Sequence, residues 1–165
     1  MRFLVLLVVV TAAATAGAFA PARPPQQHRR RLRSAVTAPA TLDGFLQSLS
    51  TVGTARAIVM RPEAQAILEA TIDLSTTSVK ATDTPSGKTL VTVASPDKSF
   101  ELHLDAGRSA KATLGTSAKT GGPVCRVLDE EGTALATLVF KGDKAEAFES
   151  LKAELGEEVV FDGVA

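Results

Sequence analysis

The side chains in this sequence best suited to chemistry are His103 and its neighbours. Phe100, Leu102 and Leu104 alternate with Glu101, His103 and Asp105, the period of a strand with one apolar and one polar face. A neutral imidazole on the polar face can give one ring nitrogen to a metal while an acceptor orients the other. Glu101 and Asp105 share that face and are the nearest acceptors in sequence. The same pattern also reads as an exposed strand histidine flanked by acids that keep the sheet soluble. Cys125, the single cysteine, is either a thiolate ligand or nucleophile or, with no base beside it in sequence, a small buried hydrophobe. Other chemistries find no support. A single histidine in residues 41–165 and no nucleophile elbow exclude a Ser-His-Asp set, residues 84–88 and 120–123 lack a phosphate-loop pattern, and the ligand count excludes a zinc cluster. The paired acids Glu130-Glu131 and Glu157-Glu158 read as the solvation of a turn and a tail.

A chain of 165 residues, 45% hydrophobic and 22% charged, has the balance of one globular domain. Its formal net charge of zero hides an asymmetry. Arg2, Arg23, Arg29, Arg30, Arg31 and Arg33 precede Ser34, and no acid precedes Asp43. The remainder carries 12 basic and 18 acidic residues, a net charge of −6. An acidic domain without a basic stripe argues against a nucleic-acid partner. One cysteine forms no internal disulfide and suits a reducing or redox-neutral compartment. Trp and Tyr are absent, which removes tyrosinate as a ligand and thins out stacking groups.

The basic start reads as an address. Arg2, the apolar run of residues 3–10 and the small Ala16-Gly17-Ala18 describe a signal peptide over residues 1–18. The run is shorter than the roughly 20 apolar residues of a spanning helix. Residues 19–40, rich in Arg and Pro and free of acids, have the composition of a plastid transit segment. With Phe19 inside Ala18-Phe19-Ala20-Pro21, the pair resembles the bipartite presequence of complex plastids of red-algal descent, which implies import into the plastid stroma. The alternative is a secreted protein with a basic linker.

Residues 41–165 must then build the domain that positions His103. Thr41 can cap a helix carrying Leu42, Phe45 and Leu49, with Gly53 just past its end. Residues 54–60 and 64–70 read as strands joined by a turn at Pro62, although the Ala, Gln, Leu and Glu of the second also suit a helix. Residues 78–81, 88–94, 99–105 and 110–114 are short β-branched segments separated by turn residues, which predicts an antiparallel meander. Residues 124–128 and 133–141 form a hairpin around Gly132; apolar residues on both faces make these strands central. Asp143 and Glu146 have capping-box spacing before a helix whose Ala145, Phe148, Leu151 and Leu155 share a face and which Gly156 ends. Residues 157–165 read as a loose tail. The fold class is α+β: an antiparallel sheet of meander and hairpins, with a short N-terminal and a C-terminal helix packed on it.

Taken together, the helix opening Leu42-Asp43-Gly44-Phe45-Leu46, the 53–59 strand, the Phe100-to-Leu104 strand, the 124–140 hairpin and the helix carrying Phe148-Glu149-Ser150-Leu151 resemble the HemS, ChuX and HutX haem-utilisation family. The similarity covers most of residues 41–155 and is strongest from Phe100 onward. It implies an α+β domain that holds haem or a related tetrapyrrole for transfer to a protein acceptor, with His103 as the haem contact and iron ligand. It implies an apolar slot between sheet and helix. Met60 is then a possible second axial ligand or core filler. Arg56, Arg61, Arg126 and Lys141 are possible partners for the propionates or ordinary surface charges. A homodimer is compatible with the resemblance, and no membrane span is expected in the mature domain. The family's second haem histidine has no counterpart between Thr82 and Lys98. The alternative function is therefore a plastid interaction or regulatory module that keeps the fold without haem. Haem degradation is a weaker reading, because it needs a reductant partner and an oxygen-binding distal side.

Overall fold

The computed structural model describes residues 40–61 and 65–162, all within the second of two units of the chain, residues 33–165. The leader and the turn at Pro62 lie outside the described residues. The first element, α1 (Leu42–Ser48), starts where the Thr41 hydroxyl accepts the Gly44 N–H at 3.3 Å. A 3-10 turn, Leu49–Thr51, continues it, and Gly53 then takes a φ of +91°, open to glycine without strain. Leu42, Phe45, Leu46 and Leu49 are buried, so the amphipathic spacing has a real apolar partner.

Nine strands follow: β1 (Thr54–Arg61), β2 (Ala66–Asp73), β3 (Ser78–Asp83), β4 (Thr89–Ala94), β5 (Glu101–Asp105), β6 (Lys111–Thr116), β7 (Pro123–Leu128), β8 (Ala134–Phe140) and, after α2 (Ala145–Leu155), β9 (Glu158–Val160). They make two antiparallel sheets. The large one has the order β2-β1-β8-β7-β6-β9 and the small one β3-β4-β5. As expected, β7 and β8 are central. The inner face of the large sheet, through Ala55, Ala57, Leu114, Cys125, Val127 and Leu138, forms one core with α1, α2 and the small sheet. Burying each large apolar side chain contributes roughly 1.5–3 kcal/mol. Two tilted ring pairs tie the layers, Phe45 with Phe161 at 5.5 Å and Phe140 with Phe148 at 5.4 Å.

Three expectations need correction. The meander stops at β5. The Asp105 carboxylate accepts the Gly107 N–H at 3.1 Å and opens a 3-10 turn, Ala106–Arg108, after which the Ala110 N–H bonds Leu128 and β6 joins the large sheet. The capping box does not form. A 3-10 turn, Gly142–Lys144, precedes α2, so the Lys144 and Ala145 N–H groups already bond the Lys141 and Gly142 carbonyls. Asp143 lies 3.8 Å from Lys144 instead. Nor is the segment after Gly156 a loose tail. β9 pairs with β6, Val159 and Phe161 are buried, and Phe161 bridges Ala40.

The β4–β5 hairpin that presents His103 is tightly made. Its turn centres on Asp97, whose carboxylate is held down at about 2 by the Ser95 hydroxyl and by the Ser99 N–H and hydroxyl.

Candidate ligand cleft

His103 stands in the middle of β5, an edge strand of the small sheet, opposite Thr92 on β4. Its Nδ1 lies 2.8 Å from the Thr92 hydroxyl oxygen and its Nε2 3.6 Å from a Glu101 carboxylate oxygen. With the proton on Nδ1, the ring donates to Thr92 and Nε2 keeps its lone pair, the arrangement a metal ligand needs. Of the two acids in sequence reach, only Glu101 faces the ring. Asp105 turns away to the Lys88 ammonium at 3.1 Å and to the Gly107 N–H. The side chain of His103 is half exposed, at 50%, so a ligand can approach it from solvent.

A cleft of about 440 Å³ borders this strand, within the range of small-molecule sites. One wall is the β4–β5 hairpin with Lys88, Leu90, Leu102 and His103; the other is the end of β1 and the start of β8, with Val59, Met60, Arg61 and Leu135. The cleft therefore lies between the two sheets, and no residue of α1 or α2 lines it, in contrast to the slot between sheet and helix expected from the sequence. Leu135 reaches it because the register between β7 and β8 shifts there: Val127 pairs with Ala136 but Leu128 with Ala134, leaving Leu135 as the extra residue of a bulge.

Three cations and two carboxylates line the cleft. Lys88 is tied to Asp105, and Arg108 lies 3.8 Å from Asp129, which is buried and also accepts the Thr133 N–H at 2.7 Å. Arg61 adds a positive charge that no acid among the described residues pairs, so the lining carries an excess of one cation. A cleft of mixed polar and apolar lining that carries an imidazole and cations suits an anionic, metal-bearing ligand with an apolar body.

The other residues singled out by type are dispersed. Arg56 and Lys141 line a different cavity, and Arg126 is exposed in β7. Met60, half exposed, shares the cleft with His103. Cys125 is fully buried, and burial pushes its thiol up to about 12, which excludes the ligand and nucleophile readings. Among the described residues no three His, Cys, Asp or Glu side chains converge on a metal position, and no helix is long and apolar enough to cross a membrane. Sequence reasoning missed Thr92, Lys88, Arg108 and Asp129. Thr92 was within reach, because the hairpin register that pairs Ala94 with Glu101 also pairs Thr92 with His103.

No family model matches the chain, and no curated protein sequence does. Among solved structures, the chain is similar to holo-PhuS, a haem-binding protein from Pseudomonas aeruginosa, with a TM-score of 0.48 and 19% identity. The match covers 73% of this chain and 34% of that one, so the chain spans about a third of the length of PhuS.

Proposed function

We propose that this domain binds haem or a related tetrapyrrole in the cleft along β5 and hands it on to a protein acceptor. The observation that carries the reading is the convergence of His103, its Nδ1 beside Thr92, with Lys88, Arg61, Arg108 and the apolar Val59, Leu90, Leu102 and Leu135 on one cleft. His103 Nε2 would supply the iron ligand, and Thr92 would fix the ring. Lys88, Arg61 and Arg108 would donate charge-assisted hydrogen bonds to the propionates, and Val59, Leu90, Leu102 and Leu135 would offer apolar contact. Half exposure of the ligand residue fits reversible binding. Redox chemistry, where there is any, is that of the haem iron.

The test is a comparison of haemin with metal-free protoporphyrin IX on the full chain and on His103→Ala. The substitution is expected to weaken haemin at least about tenfold, roughly 1.4 kcal/mol, and to leave protoporphyrin nearly unchanged. Equal haemin affinity in the two proteins would remove His103 from the site.

A second reading, an interaction module that keeps the fold without a tetrapyrrole, is favoured by Glu101 facing Nε2, which leaves both ring nitrogens with a protein neighbour. Delivery to a plastid belongs to both readings and rests on the composition of residues 1–40. Those residues fused to a fluorescent protein are expected to direct it into the plastid, and fluorescence in the medium would contradict this.

A further inference from the structure

A second cavity, of about 450 Å³, lies at one corner of the large sheet and shares no residue with the His103 cleft. It is built where the loop between β6 and β7 folds back over the sheet face turned away from the core. Val124 shows this folding. It lies outside the core cluster, pairs with Gly115 and Val139, and is still only 1% exposed. The loop is held by the Ser117 N–H on the Gly122 carbonyl and the Gly121 N–H on the Ser117 carbonyl, both 2.8 Å. Two glycines make the approach possible. Gly121 has a φ of +67°, and a Cβ on Gly122 would sit 3.1 Å from the Phe140 carbonyl oxygen.

On this outer face the apolar side chain of the cavity is Val139, with the strand backbone at Ala55 and Phe140, and its polar groups are few: the Arg56 and Lys141 cations and the hydroxyls of Thr54, Thr71 and Thr120. The register explains why the two cations are neighbours. Arg56 pairs with Val139, so Lys141, two residues further on, is its diagonal neighbour, at roughly 7–8 Å for such positions. Only one of these charges is compensated. Arg56 lies 3.5 Å from Glu69, both half exposed, and no carboxylate among the described residues pairs Lys141. Two cations against one carboxylate leave a single positive charge beside Val139, in a domain whose overall charge is negative.

We infer that this corner is a binding site for a small amphipathic monoanion, a compact apolar body carrying one carboxylate or sulfonate. The acid group sits between Lys141 and Arg56 and takes the uncompensated charge, with the threonine hydroxyls as further donors. The body lies on Val139 beneath the Gly121-Gly122 loop.

The probe is 8-anilinonaphthalene-1-sulfonate, whose fluorescence rises in an apolar site, titrated into the full chain and competed with decanoate. Saturable binding, displacement by decanoate and shifts of the Gly121 and Gly122 amide resonances are expected. Lys141→Glu, a change at an exposed position, is expected to weaken the probe at least about tenfold while the uncharged N-phenyl-1-naphthylamine is unaffected. A smaller loss, or amide shifts at His103 and Leu102 instead of the two glycines, would overturn the assignment.

Discussion

Phe148→Ala is expected to lower the stability of the domain by about 3–5 kcal/mol, read as a drop in the denaturant midpoint with an unchanged slope. Phe148 is 0% exposed and its ring lies 5.4 Å from that of Phe140, tilted by 49°. Together with Leu151 it is how α2 is seated on the large sheet, because these are the two buried side chains of that helix. Truncation removes the ring's transfer free energy and leaves a cavity that the strands beneath cannot fill. Against a typical stability of about 5–15 kcal/mol, the loss is a large fraction of the whole. Phe148→Leu keeps most of the volume and is expected to cost clearly less. A Phe148→Ala midpoint close to that of the unmodified protein would mean that α2 does not pack as described.

The second large effect lies on the alkaline side. Desolvation raises the Cys125 thiol from 9.0 to about 12, with Arg126 opposing it weakly. Above the unfolded value the unfolded chain loses this proton while the folded chain keeps it, so the unfolded state binds fewer protons and stability falls as pH rises. The contribution is intact below pH 9 and is lost progressively between 9 and about 12, on the order of 4 kcal/mol at the upper end. The chain has no Tyr, so only lysines share this window. Lys152, raised by its hydrogen bond to Glu149, adds a loss of the same sign. Cys125→Ala isolates the thiol. Its stability is expected to fall less steeply above pH 9 than that of the unmodified protein, and parallel curves would contradict the buried assignment. A thiol reagent is likewise expected to react only after denaturant is added.

These expectations rest on parts of the fold that the sequence expresses unevenly. Residues whose partners are close in sequence were legible. The Thr41 cap, the apolar spacing of α1, the centrality of β7 and β8 and the two-faced strand at His103 all follow from local periodicity and turn chemistry. Periodicity identifies a strand but does not name its neighbour. That β6 leaves the small sheet depends on the turn at Asp105, and that β9 exists depends on Val159 and Phe161 finding β6 and α1. The capping box failed because a 3-10 turn had already satisfied the helix start. For the cleft, His103 was legible and its Thr92 partner nearly so. Arg108 and Asp129 were not, since they come together only when β6 leaves the small sheet and pairs with β7, which sets the residues before β6 beside those after β7.

The central claim is that the cleft along β5 holds a tetrapyrrole on His103. Its most direct test is a haemin titration of the full chain, followed at the Soret band. Saturable one-to-one binding, with a shifted band that is lost in His103→Ala, is the predicted result. No saturable binding by the unmodified protein would contradict the claim and leave the fold serving a protein partner instead.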